Sequence, residues 1–477
     1  MIIVERIFPL SELPVEFATQ EKSLVIVGLA VNKPVERNNG IVHSVIIYEG
    51  KYMLRNAHKS KFLQKYKTMK RIATFIAIII CLIPAIKADD SLTAGCAGSA
   101  TPYPTPVSVA ACPDSLTPVM INHVGRHGAR YPSSASRALK LKEMLAEADS
   151  LGTITPVGRH LLSLVEEVLV ECDGKWGMLD SLGMSEQEGI ARRMYRTFPS
   201  LFKTGHVKAM ASYVPRCVMS MDMFTHELAL CDRHINIYTE SGPVTSVLLR
   251  PFEIDSAYIA YREEKPYKGI YDRYVESTAP MTPAVAALGR AFAADSKELR
   301  DFAMTEYGFL SSLGAMSREV DITDFMTAGD YRRLWSCNNL NQYLTRTATT
   351  VSQLPAEIAA PLLLNLISTT DSVLAGKSDA RVQLRFGHAE TMMPLLSLMA
   401  IPGCRYLTDD FDSVASHWRN YYVVPMASNL QMILFSAPSG SIYVRIDLNE
   451  VPVRFMPSSE EVYVPWHEAR AYLLSLI

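Results

Sequence analysis

The chain has 477 residues, of which 48% are hydrophobic and 20% charged, and its formal net charge is −2. This composition excludes a disordered protein and can supply a large core in two or three domains. Residues 1–88 carry 13 Lys and Arg against 6 Asp and Glu, which leaves 34 basic and 43 acidic residues in 89–477. The acidic main body argues against nucleic acid as a partner.

Residues 69–88 have the pattern of a secretory signal peptide. Met69, Lys70 and Arg71 are followed by an apolar stretch, 72–86, that is shorter than a membrane-spanning helix requires. We therefore expect export to the periplasm, the cell surface or the medium, with no stable membrane span in the mature chain. A lipid anchor on Cys96 is an alternative, although this cysteine lies well beyond the apolar stretch.

We interpret residues 1–68 as an upstream extension of unknown role, with translation starting at Met69. A small tethered N-terminal domain is the alternative, because 24–31 and 41–48 have strand-like composition. Residues 89–114 are rich in Ala, Thr, Ser and Pro and predict an extended lead-in.

The folded body begins with a predicted buried strand over 119–124. The sequence Arg126-His127-Gly128-Ala129-Arg130-Tyr131-Pro132 follows, and then a helix with apolar positions at Leu139, Leu141, Met144 and Leu145, which Ser133 or Ser134 could cap. Arginine matches phosphate oxygens with a planar, permanently charged fork, and a neutral imidazole can attack phosphorus. This strand-to-helix turn therefore predicts a phosphate pocket with a nucleophile.

Two further junctions of the same kind occur downstream. The predicted strand 207–211 precedes Arg216, and the predicted strand 382–386 is followed by Gly387, His388 and Glu390. If these strands are parallel neighbours, the three junctions meet at one sheet edge, where ligands of open α/β sheets bind. The alternatives are that Arg216 is a solvated helix-start arginine and that His388 and Glu390 only cap a helix. We expect His123, close to the first motif, to be a hydrogen-bonded structural histidine.

Strand-like segments at 432–435 and 442–448 complete a candidate mixed sheet, and helical patterns fill the stretches between. The pattern predicts an α/β fold, a mixed sheet flanked by helices, with an inserted, mainly α-helical domain. We assign the α/β core to 115–140, 201–250 and 376–477, and the insert to 141–200 and 251–375. No clustered metal-ligand set is evident, so neither a metal nor another cofactor is expected.

The RHGARYP sequence with the downstream His-Ala-Glu resembles the histidine acid phosphatases, and within them the multiple inositol polyphosphate phosphatase branch, the His-Ala-Glu type of phytase. The likeness runs from about Thr101 to the C-terminus and includes a Leu-Arg-Pro-Phe sequence within 248–252 and Ala191-Arg192-Arg193-Met194-Tyr195.

This resemblance implies a histidine-phosphatase-like fold and removal of phosphate from inositol polyphosphates, including inositol hexakisphosphate, at mildly acidic pH. It implies that His127 becomes phosphohistidine, that Glu390 donates the proton, and that the phosphate-binding residues are Arg126, Arg130, Arg216 and His388. Further basic residues could contact so acidic a substrate, although we expect ordinary surface positions for them: Arg137, Lys140, Lys142, Arg262, Lys265 and Lys268.

Two other functions are compatible with the same predicted phosphate pocket. One is a general acid phosphatase acting on sugar phosphates or other monoesters. The other is a protein that binds inositol phosphates without cleaving them, against which the presence of both His127 and Glu390 argues, since binding needs only the arginines. Cofactor-dependent mutases also use an Arg-His-Gly histidine, but the export signal and the His-Ala-Glu sequence disfavour that class.

Overall fold

The computed structural model describes residues 95–290 and 295–477, together with four short strands nearer the N-terminus. The chain divides into two compact units, Met1–Ile86 and Lys87–Ile477. In the first unit, β1 (Val27–Val31) pairs with β4 (Val45–Glu49) and β2 (Val35–Glu36) with β3 (Ile41–Val42), all antiparallel. The predicted signal peptide, 69–88, lies outside the described residues.

The second unit is built on an eight-stranded sheet in the order β11-β10-β9-β5-β8-β6-β7, with β12 beside β10. Its strands are β5 (Thr117–Arg126), β6 (Val207–Ala211), β7 (Ile237–Ser241), β8 (Val382–Gly387), β9 (Asn429–Ser436), β10 (Ile442–Leu448), β11 (Val451–Val453) and β12 (Val464–Pro465). β5, β8, β6 and β7 are parallel, whereas β9 to β12 are added antiparallel. The sheet is therefore mixed, as predicted.

Helices surround this sheet. They are α1 (Ser136–Ser150), α2 (Pro156–Glu171), α3 (Ser181–Thr197), α4 (Pro199–Thr204), α5 (Pro215–Cys231), α6 (Ser246–Leu249), α7 (Ser256–Glu264), α8 (Lys268–Thr278), α9 (Thr282–Leu288), α10 (Ser296–Leu310), α11 (Ala328–Arg346), α12 (Leu354–Glu357), α13 (Ala360–Leu374), α14 (Ala389–Leu398), α15 (Val414–His417), α16 (Asn420–Val423) and α17 (Trp466–Leu474). Among residues 95–290 and 295–477, none of these helices is both long and apolar enough to cross a bilayer.

Three apolar cores hold these layers together. One sheet face packs against α3, α4 and α5 through residues such as Met194 and Phe224. The other face packs against α13, α14 and α17 through residues such as Leu366 and Leu395. A third core joins α1, α2, α9, α10 and α11 and forms a separate helical layer.

The fold class and the strands predicted at 207–211, 382–386, 432–435 and 442–448 are confirmed. The predicted cap of α1 is wrong: Ala135 holds the N-cap position, and Ser134 contacts the hydroxyl of Ser136 instead. Leu139 is also exposed rather than buried, because the apolar stripe of α1 runs through Ala138, Leu141, Met144, Leu145 and Ala148.

The division into core and insert stays a prediction. Two helices that we assigned to the insert, α3 and α13, pack directly on the sheet. Their apolar stripes have the same period as those of the helical layer, so periodicity alone does not indicate which surface each one covers.

Glu306, on α10 in the helical layer, is fully buried and neither of its carboxyl oxygens has a hydrogen-bond partner. Burial, with a smaller contribution from the charge of Asp330, raises the pKa of this carboxyl from 4.5 to about 8. The folded protein therefore binds this proton more tightly than the unfolded chain does. Its contribution to stability is fully present below the ordinary pKa and is lost as the pH rises through about 8.

We expect Glu306→Gln to weaken this pH dependence, because the amide has a similar shape and does not titrate. Between pH 5 and pH 8 the wild type should lose more unfolding free energy than the variant, by at most about 4 kcal/mol. Denaturant unfolding at both pH values measures this difference. Glu298→Gln, at an exposed position of the same helix, is the control; parallel pH profiles for wild type and Glu306→Gln would contradict the prediction.

Candidate active site

The three junctions predicted from the sequence meet at one edge of the sheet. β8 lies between β5 and β6, and the three run parallel, with Arg126 in register with Gly387 and Ala211 with Phe386. The rings of His127 and His388 lie 5.8 Å apart between centroids. A guanidinium nitrogen of Arg216, Nη2, lies 3.3 Å from Nδ1 of His388. The predicted convergence is confirmed.

His127 is buried and its hydrogen bond fixes the tautomer of the ring. Nδ1 lies 2.8 Å from the carbonyl oxygen of Gly128. Because a carbonyl oxygen can only accept, Nδ1 must carry the hydrogen, which leaves the lone pair on Nε2. Burial, followed by the charges of Arg126, Arg130 and Arg216, holds the pKa of His127 well below its usual range. The imidazole is thus neutral and can act as a nucleophile through Nε2.

Arg126, Arg130 and Arg216 surround this ring, and the Nε–H of each is buried without a partner in the protein. Nη1 of Arg126 donates to the carbonyl oxygens of Ser99 and Val424, which fixes the plane of the guanidinium. Burial lowers the pKa of Arg126 to about 9 and that of Arg130 to about 10, so both stay charged at neutral pH. Buried, charged donors with unused hydrogens suit an oxyanion.

His388 occupies the N-cap position of α14, but its ring faces the pocket residues. Nε2 lies 2.7 Å from Nη1 of Arg250 and 2.9 Å from the hydroxyl of Ser212. Burial, with the charge of Arg216, lowers the pKa of His388 to about 3, so the ring is neutral and has a single acceptor nitrogen. The shorter contact from Arg250 assigns that acceptor to Nε2. Nδ1 then carries a hydrogen, on the side of the ring that faces Arg216.

Glu390 lies in the first turn of α14, and its side chain is 32% exposed. Its Oε1 accepts a hydrogen bond of 2.7 Å from Nη2 of Arg346, the last residue of α11. Burial raises the pKa of Glu390, but Arg346 and then His388 outweigh that effect and lower it to about 2. Glu390 is therefore a carboxylate held by an arginine.

Helix α3 packs directly against the Arg-His-Gly turn. A Cβ on Gly128 would lie 2.3 Å from the carbonyl oxygen of Gly183, and a Cβ on Gly183 would lie 2.1 Å from that of Ala129. Such contacts are impossible, so the turn and the helix can touch only because both residues are glycine. Glu186 accepts from the backbone N–H of Ala129 at 2.7 Å, and Gln187 donates to the carbonyl oxygen of Arg126 at 3.0 Å.

Three residues of this site were not predicted from the sequence: Arg250, Arg346 and Glu186. Arg250 was noted only in the resemblance to the histidine acid phosphatases, as part of the Leu-Arg-Pro-Phe sequence, and no role was predicted for it. Arg346 ends a long helix and belongs to no motif. Glu186 is one of two acidic residues on an amphipathic helix, and its spacing from Gly183 has meaning only once α3 is placed against the turn.

Other residues singled out in the sequence lie outside the three strand-to-helix junctions. His123 is structural, as expected, but it is not hydrogen-bonded: it is fully buried between Phe224 and Phe386, and both ring nitrogens lack a partner. The candidates for additional substrate contacts are all exposed: Arg137, Lys140, Lys142, Arg262, Lys265 and Lys268. Among residues 95–290 and 295–477 no group of three or more His, Cys, Asp or Glu is placed to hold a metal ion.

We expect Gly183→Ala to weaken binding of inorganic phosphate, because the added methyl group must push α3 away from the turn that carries His127. Isothermal titration calorimetry with phosphate measures the loss. Gly189→Ala is the matched control on the same helix, since its Cβ would meet only the guanidinium end of Arg193, at 3.0 Å. Equal phosphate affinity in the two variants would show that the close approach at Gly183 does not position the pocket.

No protein-family model matches the chain. Multiple inositol polyphosphate phosphatase 1 of Homo sapiens is 26% identical over 392 residues, 73% of this chain and 77% of that protein. The fold is shared with the Bifidobacterium longum multiple inositol polyphosphate phosphatase, solved in complex with inositol hexasulfate, at a TM-score of 0.69 and 18% identity, over 80% of this chain and 97% of that one. The D. castellii phytase gives a TM-score of 0.64 at 15% identity, over 83% and 89%. The resemblance of this chain to the histidine acid phosphatases, and to their multiple inositol polyphosphate phosphatase branch, is confirmed.

Proposed function

We propose that this protein is a histidine acid phosphatase that removes phosphate from inositol polyphosphates, including inositol hexakisphosphate. The reaction passes through a phosphohistidine on His127, and Glu390 is the proton donor. The observation that carries this proposal is the meeting of a neutral imidazole, three charged guanidinium groups and a carboxyl group at the ends of three neighbouring parallel strands.

In the first half-reaction, Nε2 of His127 attacks the phosphorus atom and the bond from phosphorus to the ester oxygen breaks. Arg126, Arg130 and Arg216 carry donors for the three non-bridging oxygens, where negative charge collects. The hydrogen on Nδ1 of His388 adds a neutral donor. A protonated Glu390 gives its proton to the departing ester oxygen, and the substrate leaves as an alcohol.

In the second half-reaction, the Glu390 carboxylate takes a proton from a water molecule as the water oxygen attacks phosphorus. The bond between phosphorus and Nε2 breaks, and its electron pair returns to the ring. Inorganic phosphate is released, with His127 neutral and Glu390 again protonated. The hydrogen bond from Nδ1 of His127 to Gly128 persists throughout and fixes the ring orientation.

The choice of inositol polyphosphates rests on two observations. Proteins similar to this chain in sequence and in fold are named as multiple inositol polyphosphate phosphatases, and one of them was solved with inositol hexasulfate bound. Around Glu390, moreover, the positive charge extends past the three pocket arginines to Arg346 and Arg262. A polyanion is therefore attracted locally, although residues 89–477 are acidic as a whole.

We expect His127→Ala to lower the release of phosphate from inositol hexakisphosphate by roughly 10³-fold or more, because no other group can form the covalent intermediate. Rapid quenching of the wild type and radiolabelled substrate in alkaline denaturant should trap an alkali-stable, acid-labile phosphoprotein that the variant lacks. Turnover of glucose 6-phosphate at a rate equal to that of inositol hexakisphosphate would favour a general acid phosphatase. A wild type that binds inositol hexakisphosphate and releases no phosphate would be a binding protein.

Glu390→Gln tests the proton donor separately. We expect a loss on the order of 10²-fold or more with inositol hexakisphosphate, because its alkoxide needs a proton to leave. Phosphorylation of His127 by p-nitrophenyl phosphate should be nearly unchanged, since its leaving group is stable as an anion. Equal losses of phosphorylation with both substrates would remove Glu390 from this role.

We also propose that the protein is exported, with residues 69–88 as its signal peptide; the support is the basic start and short apolar stretch in the sequence. Expression of the full chain with a C-terminal tag, followed by N-terminal sequencing of the exported material, should give a start between about 86 and 96, the region where the polar residues begin. Recovery of the protein only in the cytoplasm, with its N-terminus intact, would contradict export.

A further inference from the structure

The ion pair between Arg346 and Glu390 conflicts with the role of a proton donor. Nη2 of Arg346 lies 2.7 Å from Oε1 of Glu390, and this ion pair keeps the carboxyl ionised at the acidic pH where a phosphatase of this kind is expected to work. An ionised carboxylate has no proton to give. For the first half-reaction to proceed, something must weaken this ion pair.

Arg346 is placed to make a second contact. Its side chain is 20% exposed, and its Nε–H is buried without a partner in the protein. The guanidinium thus holds the carboxylate with one nitrogen while another donor is unused. A phosphate oxygen is a natural acceptor for such a donor, because arginine binds phosphate through two parallel hydrogen bonds.

The phosphate group that Arg346 would bind is a different group of the substrate from the one that is transferred to His127. In the proposed reaction, the three non-bridging oxygens of the transferred group are bound by Arg126, Arg130, Arg216 and His388, which lie close together around His127. Arg346 approaches from α11, on the side of Glu390, where the ester oxygen and the rest of the substrate must lie. A second phosphate group attached to a neighbouring carbon of the substrate would enter this region.

Titratable groups on several elements surround Glu390; the arginines among them are charged, whereas Cys217 and His388 are neutral. Arg126 and Arg130 come from the turn after β5, Cys217 from α5, Arg262 from α7, Arg346 from α11 and His388 from the start of α14 itself. The arginines favour the carboxylate. A second phosphate, with a charge between −1 and −2, both opposes ionisation of Glu390 and competes for Arg346.

We propose that Arg346 is a specificity-determining residue that shifts its ion pair from Glu390 to a second phosphate group of the bound substrate, so that Glu390 becomes protonated only when the substrate carries neighbouring phosphates. This inference rests on the proposed function and adds a mechanism for substrate choice. The proton comes from solvent as the ion pair separates. It then passes to the ester oxygen as the bond to phosphorus breaks and the bond to Nε2 of His127 forms.

The test compares Arg346→Met with the wild type on inositol hexakisphosphate and on glucose 6-phosphate. Without Arg346, the carboxyl of Glu390 holds its proton at higher pH whether or not a second phosphate is bound. We expect kcat/KM for inositol hexakisphosphate to fall by on the order of 10-fold to 100-fold, while kcat/KM for glucose 6-phosphate at pH 5 stays constant or rises. The alkaline limb of the glucose 6-phosphate profile should move to higher pH.

Arg346→Lys keeps the charge and should retain most of the preference for inositol hexakisphosphate. Arg333→Met, which removes a half-exposed arginine paired with Asp330 on the same helix, is the control and should leave both the preference and the pH profile unchanged. Thermal unfolding and turnover of p-nitrophenyl phosphate establish that the variants are folded.

Three results would overturn the inference while the proposed function stands. One is an Arg346→Met protein whose substrate preference and pH profile match those of the wild type. The second is an equal loss of kcat/KM on all three substrates, which indicates a structural role alone. The third is a variant that does not fold together with an Arg346→Lys protein that has lost the preference. Failure of the wild type to release phosphate would instead overturn the proposed function.

Discussion

The pairing of β8 between β5 and β6 is the constraint on which the site depends. These strands come from regions of the chain that are far apart in sequence, and only parallel pairing places their carboxyl ends at the same edge. A shift by one residue would turn His127 or His388 to the opposite face. The backbone hydrogen bond from His127 to Gly387 extends this register one step beyond the strands and joins two of the three junctions directly.

A second constraint acts from outside the sheet. Arg126, Arg130 and Arg216 repel one another, so a turn that carries two of them needs support from elsewhere in the fold. Helix α3 supplies it by touching the turn with Gly183 and by accepting the N–H of Ala129 with Glu186. Ser99, in the lead-in, accepts from Arg126 on the other side. Helix α3 and the lead-in, which carry no proposed catalytic residue, thus determine the positions of the arginine side chains.

Much of this could be predicted from the sequence, because the signals are local. A buried strand followed by Arg-His-Gly, and another followed by Gly-His-Ala-Glu, each mark the carboxyl end of a strand within a few residues. Arg250, Arg346 and Glu186 could not be found in this way, since each acts across more than 40 residues of chain and lies on a helix or loop with ordinary composition. The predicted N-cap of α1 was wrong because serines are common near helix starts, and packing decides whether a serine side chain can reach the backbone N–H groups.

The arrangement of charge also limits what the pocket can do by itself. In the proposed reaction, each guanidinium that holds the phosphoryl group also lowers the pKa of the imidazoles, which favours a nucleophile. It lowers the pKa of Glu390 as well, which disfavours an acid. A pocket with a fixed set of charges therefore cannot favour a neutral imidazole and a protonated Glu390 at the same time. The conflict disappears if the charge near Glu390 changes when substrate binds, and a polyphosphorylated substrate is the kind of molecule that brings such a change with it. The chemistry of proton donation and the preference for a polyanion would then have the same physical origin.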